Sequence, residues 1–302
     1  MNKFLAGIGK CNIDLIFSTL PKLPSEGDEI YADNFDICLG GGALGSLINL
    51  ARLGLPVKAF TYLGEDLFSN FATKQLQHFG IEYHNLAGTT QFAGVVTVAL
   101  ATKRDRTFVS WRGENHYSSK AEEDLLLKCS GAHAVIMQCG AYYDAYSQLK
   151  RQGTKLFLDL GFDSDMSIKK YAKELALADV YFPNASEALK ITNLSTLGDA
   201  GTKLSELVER VVVTCASDGA QVFENGTSFH LPPPSGTKFV DATGAGDAFL
   251  AGYAYGDFMG YSTYKCVAAG NIMGARCVTQ IGCLTSSTTA SELEQLLMQY
   301  EL

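Results

Sequence analysis

The feature that most constrains the fold of this chain is a repeated alternation of short apolar runs with helix-period segments. Residues 4–8, 57–63, 134–138, 155–160, 180–182 and 211–214 are apolar runs of strand length bounded by turn signals. Such runs suit strands that are covered on both faces. Helical patterns lie between them, at residues 44–53, 68–79, 119–130, 142–152, 168–177 and 185–191. Gly54 and Pro56 end the first of these and Gly80 ends the second. Repeated β-then-α units predict an α/β fold, a three-layer sandwich with a mostly parallel central sheet and helices on both sides.

Two segments break the rhythm. Residues 12–38 and 91–112 lack a long helix and alternate like strands, as in Thr97-Val-Ala-Leu-Ala-Thr102 and Arg106-Thr-Phe-Val-Ser-Trp111. They are expected to pair as a small antiparallel sheet standing off the main one, as a lid, an oligomer contact, or both. Trp111 and Arg112 read there as packing and solvent contacts. The chain after Asp247 reads as largely helical, with a last helix starting near Ser291 and Glu294 completing a capping box. The length of 302 residues fits one large domain, residues 1–302, with the small sheet as its appendage.

A hydrophobic share of 47% and a charged share of 19% allow a large core. The net charge of −8, without basic clusters, argues against nucleic acid and acidic membrane surfaces as partners. Any polyanionic ligand must then be held by local amides, a metal or a few Lys and Arg side chains. The eight cysteines (Cys11, Cys38, Cys129, Cys139, Cys215, Cys266, Cys277 and Cys283) lie mostly inside apolar segments without metal-ligand spacing. They read as buried thiols. The first residues form no signal-peptide core, and no apolar run approaches the ~18 residues of a membrane span. A reducing cytoplasm is the expected setting.

The most specific stretch is Asp241-Ala-Thr-Gly-Ala-Gly-Asp247-Ala-Phe-Leu250, with two carboxylates six positions apart around a small-residue turn. The turn Thr243-Gly244-Ala245-Gly246 has little side-chain bulk, so its N–H groups can approach an anion closely. A helix beginning at Gly246 or Asp247 would add its N-terminal N–H groups and dipole, which favour a phosphate there. Asp247 would stand beside that phosphate as a proton acceptor, with the dipole favouring its ionised form. An anion cradle next to a proton acceptor is what transfer of a phosphoryl group to an alcohol requires.

This stretch resembles the signature of the pfkB (ribokinase-like) family of carbohydrate kinases, and further matches follow the family order along nearly the whole chain. Gly40-Gly41-Gly42-Ala-Leu-Gly45 through Ala51-Arg-Leu-Gly54 is similar to the family's first signature. Leu63-Gly-Glu-Asp66, Gly113-Glu-Asn115, Asn184-Ala-Ser-Glu187 and Val211-Val-Val-Thr214 through Gly219 resemble later ones. The resemblance implies a ribokinase-like fold and ATP-dependent phosphorylation of a sugar or sugar-like alcohol. Asp247 would be the base, and Gly244, Ala245 and Gly246 would hold the transferring group beside Thr243. Asn184 and Glu187 would act near Mg²⁺ and the ATP phosphates, through water. Thr214 and Gly219 would lie along the nucleotide, with Asn271 near the base or ribose. Asp14 would bind substrate hydroxyls in a pocket lined by Gly41, Gly42 and Gly45. Asp241 matches a position linked to a monovalent cation such as K⁺ in some members. A homodimer through the lid is the protein partner expected.

The residues also allow plainer readings. Asp14 could end a strand, Asn184 and Glu187 could be a helix cap with its N3 acid, and Thr214 and Gly219 could be turn residues. The chain departs from the family pattern at Gly45, where many members carry a substrate-binding Asn, and at Gly42, where ribokinases often have Lys. Ala216 replaces a common Gly, and Asp159-Leu-Gly161 differs from the usual polar continuation. These changes leave the acceptor open between a sugar and a nucleoside, and keep an inactive sugar-binding relative as an alternative. Gly40–Gly45 also fits the dinucleotide fingerprint, with Glu65 and Asp66 as ribose acids. That oxidoreductase reading needs a continuous apolar strand before the glycines, whereas residues 34–39 alternate, and it leaves the 241–247 turn without a role.

Overall fold

A computed structural model describes residues 3–114, 117–161 and 163–300. The strands in chain order are β1 (Leu5–Ile8), β2 (Asn12–Leu20), β3 (Asn34–Leu39), β4 (Val57–Thr61), β5 (Glu82–Asn85), β6 (Val95–Thr102) and β7 (Arg106–Arg112). They continue with β8 (Ala134–Ile136), β9 (Lys155–Leu158), β10 (Val180–Tyr181), β11 (Arg210–Thr214), β12 (Ala220–Glu224) and β13 (Thr227–Leu231). The helices are α1 (Ala43–Arg52), α2 (Leu67–His78), α3 (Ser119–Cys129), α4 (Tyr143–Arg151), α5 (Ala172–Leu177) and α6 (Ala185–Thr192). After them come α7 (Leu197–Ser205), α8 (Ala245–Phe258), α9 (Thr263–Cys277) and α10 (Ala290–Gln299).

Nine strands form the main sheet in the order β13-β12-β11-β10-β9-β8-β1-β4-β5. Those from β11 to β5 in that order run parallel, and a β12–β13 hairpin closes one edge antiparallel. Its turn is Asn225-Gly226, both at positive φ (50° and 72°), as a type I′ turn demands. Strand side chains alternate between two cores. Val212 enters the core shared with α1, α2, α8, α9 and α10, while Val211 and Val213 enter the one shared with α3 to α7. This two-sided cover is why the parallel strands read as continuous apolar runs.

The second sheet has the order β3-β2-β6-β7. Its outer pairs are antiparallel, but the central β2–β6 pair is parallel. A parallel pair needs a long crossover, and the α1–β4–α2–β5 segment supplies it. Two local readings change. The helical pattern at 168–177 is helix only from Ala172, because Ile168 N–H is drawn to Ile191 O at 3.1 Å. The last helix is capped two residues earlier than Ser291 suggests, by Thr289 with Glu292 in a full capping box. Glu294 instead accepts hydrogen bonds from Tyr255 (3.0 Å) and Tyr261 (2.8 Å), tying α10 to α8.

Helix α8 is buried on every side from Ala248 to Gly256, as expected for a helix apolar all round. Its close approach to α9 rests on glycine. A Cβ on Gly252 would lie 2.4 Å from Ala269 O, and one on Gly256 3.0 Å from Cys266 Cα. Among the described residues no helix is long and apolar enough to cross a membrane. Because backbone rather than a side-chain tip blocks position 252, Gly252→Ala is expected to destabilise the protein by about 1–3 kcal/mol, the usual range for overpacking. Urea unfolding reads this directly; an unchanged midpoint would mean that α8 and α9 part without cost.

Candidate active site

From β1 the chain builds the sheet outward through β4 and β5, then returns to the other side of β1 with β8 and continues to β11. The strand order therefore switches at β1, and ligand crevices in such sheets open at the carboxyl ends of the strands near the switch. The loops after β1, β9, β10 and β11 end there. So do the N-termini of α1 and α8, which pack against each other.

Gly244 adopts a left-handed conformation (φ 79°) as the N-cap of α8, so the helix starts at Ala245, slightly earlier than the sequence pattern suggests. A side chain at 244 would lie 2.4 Å from Cys283 Cβ, so glycine is required for both space and φ. Asp247 falls in the first turn, and its Oδ1 accepts the Gly42 N–H at 2.8 Å. Gly42 is the N-cap of α1, also at positive φ (81°). A Cβ on Gly41 would stand 2.2 Å from Asp247 Oδ2, and one on Gly40 would stand 2.8 Å from both carboxylate oxygens of Asp14. The glycine turn is thus wedged between Asp14, on β2, and Asp247. Position 45 differs: a Cβ there would meet Asp247 Oδ2 at 3.4 Å, ordinary contact. Gly246 is exposed, and a side chain on it would meet no protein atom within 4 Å. The Ala245 N–H is engaged with Ala242 O at 3.2 Å.

On the far side of Asp247 an open cleft is lined by Asp159, Gly161, Phe182, Asn184, Glu187, Thr214, Gly244, Gly246, Asp247 and Phe249. Asn184 caps α6 and forms a reciprocal capping box with Glu187, at 2.9 and 3.0 Å. The cap reading of this pair is therefore correct, and the pair also faces the cleft. Thr214 N–H bonds Pro183 O at 3.0 Å, which fixes the ends of β10 and β11 side by side. Asp159, at the end of β9, joins the cleft although the sequence reading gave it no role. The signal was a lone carboxylate closing an apolar strand. A Mg²⁺ ion held by one or two carboxylates together with phosphate oxygens suits this donor set.

Several carboxylates here are shifted upward. Burial pushes Asp14 to about 6. Burial, with the charge of Glu187, pushes Asp159 to about 6 against a hydrogen bond from Gly161 N–H. Asp247 is held well above the carboxylate range by burial and then by the charges of Asp159 and Asp14, while the Gly42 N–H opposes them. The helix dipole alone would have favoured the ionised form; burial, with like charge added to it, outweighs it. Burial also raises Glu187, with the Asn184 bonds opposing.

Asp241 behaves oppositely. It is only 3% exposed, and burial works against its charge. Hydrogen bonds from Gly282 N–H (2.9 Å), Thr243 N–H (2.7 Å) and Arg106 nevertheless hold it below the usual range. Gly219 and Asn271 are not among the cleft-lining residues and instead contact residues 231–232. Gly219 (φ 85°) has Leu231 O where its Cβ would be, and Asn271 donates to Leu231 O (3.0 Å), Pro232 O (3.2 Å) and the Tyr300 hydroxyl (3.2 Å). Asp66 caps α2 through Phe68 and Ser69 N–H, and the strand before Gly40 is an edge of the small sheet. The dinucleotide reading of Gly40–Gly45 fails on both counts. Asn115 lies outside the described residues.

A family model, the pfkB family carbohydrate kinase, matches residues 2–290. The chain is 21% identical over 296 residues to a ribokinase of Lactococcus lactis, covering 98% of this chain and 97% of that one. It is 22% identical over 310 residues to a nucleoside kinase of Methanocaldococcus jannaschii, covering 98% and 97%. The structure of Arabidopsis thaliana ribokinase complexed with ribose and ATP superposes with a TM-score of 0.85 at 22% identity, covering 98% of this chain and 99% of that one. The fold is ribokinase-like, and with a family match along nearly its whole length the chain belongs to the pfkB family of carbohydrate kinases.

Proposed function

We propose that this chain transfers the γ-phosphoryl group of ATP to a hydroxyl of a sugar or sugar-like molecule, with Asp247 as the base. The observation that carries this is the position of Asp247. Its carboxylate stands at the N-terminus of α8, against the Gly40–Gly42 turn that also contacts Asp14, and it lines the cleft of Asn184, Glu187 and Thr214. A base at the edge of such a cleft can take a proton from an acceptor on the Asp14 side while a phosphoryl donor lies in the cleft.

In this reading Asp14 binds acceptor hydroxyls, and Gly41, Gly42 and Gly45 form the bare wall beside them. The N–H groups of Gly244 and Gly246, with Thr243 alongside, take the charge on the transferring group. Among the described residues nothing within 4 Å requires Gly246 to lack a side chain, which leaves room for a ligand there. Asn184, Glu187 and Asp159 face the phosphates and the Mg²⁺ that neutralises them, with Thr214 beside the nucleotide. Gly219 and Asn271 support its ribose and base end by fixing residues 231–232. The small sheet is the lid that excludes competing water. Exposed Phe35, Phe108, Val109 and Trp111 on its outer strands support a second copy of the chain docked through it. Sedimentation equilibrium should then give a dimer that Phe108→Asp dissociates; a monomeric wild type overturns the docking.

Asp247→Asn is expected to lower kcat by ~10²–10⁴, the usual loss for a general base, with ATP affinity nearly kept. A panel of sugars and nucleosides, read by ADP release, supplies the acceptor, and a mutant with wild-type kcat sinks the mechanism. An inactive relative would bind a sugar and release no ADP with any of them.

The pH profile provides a separate check. The base acts unprotonated, and its affinity for the proton is raised by burial and by Asp159. kcat/KM should therefore fall toward acid through a limb above the ordinary carboxylate value of about 4. Asp159→Asn removes one like charge and should move that limb to lower pH. The upward shift of Asp14 comes from burial and would not respond, so an unmoved limb would remove Asp247 from the role.

A further inference from the structure

Arg106 is the first residue of β7, in the small sheet, yet its guanidinium lies on the anion turn of the main body. Its Nη1 donates to Asp241 Oδ1, across 135 residues of sequence, and to Thr243 Oγ1 at 2.5 Å. Both oxygens of Asp241 also receive backbone N–H groups, Oδ1 from Thr243 and Oδ2 from Gly282. The small sheet touches this second anchor too: Ile16 of β2 faces Gly282, and Cys283 Sγ bonds Leu39 O at the end of β3 at 3.3 Å. The carboxylate is therefore held by three separate parts of the chain.

A monovalent cation, which the family resemblance attaches to the position of Asp241, does not fit this arrangement. It would share one enclosed carboxylate with a guanidinium already bonded to it, and like charges at that distance repel strongly away from water. A guanidinium also offers what a diffusible ion lacks, directional donors that bridge Asp241 and Thr243 at once.

We propose that Arg106 is a positioning residue that serves as the built-in cation of this site. It neutralises Asp241, fixes the turn that leads into Gly244 and Asp247, and does so only while the small sheet lies over the body. Lid closure and completion of the phosphoryl cradle are then one event, and the protein needs no monovalent ion for either. This rests on the reading of residues 241–247 as the phosphoryl-transfer turn.

The test compares KCl with tetramethylammonium chloride at equal ionic strength. Thermal melting of the ligand-free protein is expected to give the same midpoint in both salts for the wild type. Arg106→Ala should melt lower in tetramethylammonium and regain stability in K⁺, which then reaches the vacated carboxylate, while Arg106→Lys should behave nearly as wild type. With the acceptor found by the panel, wild-type kcat should be indifferent to K⁺. Arg106→Ala should lose at least about tenfold in kcat, short of the ~10²–10³ of a direct oxyanion donor, with the KM for ATP little changed and partial rescue by K⁺. A wild type stabilised or activated by K⁺, or an Arg106→Ala protein equal to wild type in melting and kcat, overturns the proposal. If no acceptor supports turnover, the kinase reading fails, while the melting comparison still decides whether Arg106 is the cation. If Arg106→Ala does not fold, the wild-type salt comparison and Arg106→Lys decide it.

Discussion

The site depends on one contact, the hydrogen bond from Gly42 N–H to the Asp247 carboxylate. It joins the N-termini of two helices that are 205 residues apart in the chain. Two positive helix ends face each other there, an arrangement that is unfavourable without an anion between them. Asp247 supplies that anion, and the glycine turn comes close enough only because residues 40 and 41 have no side chains. The packing of α1 against α8 holds these two ends at one place.

The same contact explains why the local electrostatics depart from what the turn alone suggests. A helix N-terminus lowers a carboxylate's proton affinity, and a lone Asp247 would follow that rule. The fold instead buries it and then brings Asp159 from the end of β9 and Asp14 from β2 near it, in a chain already carrying net charge −8. Both approach through strand ends that are distant in sequence. Such a concentration of acid favours a cation-bearing ligand and makes Asp247 a stronger proton acceptor than the turn alone would. Asp241, a short distance along the turn, avoids this because backbone N–H groups and Arg106 meet it.

What the sequence made legible follows from the range of the interactions. The β-then-α repeat was readable because burial on both faces leaves unbroken apolar runs, as in Val211-Val-Val213. The turn at 241–247 was readable because its groups are contiguous. Edge strand β5, Glu-Tyr-His-Asn, gave no apolar signal because one side of it has no neighbouring strand. The β12–β13 hairpin did carry a signal, Asn225-Gly226, but its polar ends masked the flanking alternation. The Ser291 and Glu294 box satisfies the capping rule as well as Thr289 and Glu292 do, and only the tertiary bonds from Tyr255 and Tyr261 to Glu294 decide between them. Asp159 and Arg106 were hidden for a related reason. Each stands alone in sequence and acquires its role from a partner on another element.

The two halves of the site also differ in what specifies them. In the proposed reading the phosphoryl side is built from turn amides and caps, so short motifs suffice to define it. The acceptor side is assembled from β2, the glycine turn and the small sheet, with the residue at 45 reduced to glycine. Since a side chain at 45 would fit at ordinary contact distance, its absence is not imposed by packing and leaves the wall next to Asp247 as bare backbone. In the proposed reading, discrimination among acceptors then falls to Asp14 and to the small sheet as its lid. That sheet also carries Arg106, so the part proposed to select the acceptor is the part proposed to complete the anion turn. An acceptor that fails to bring the sheet down would leave Asp241 without its guanidinium, and specificity would be expressed in kcat as well as in binding.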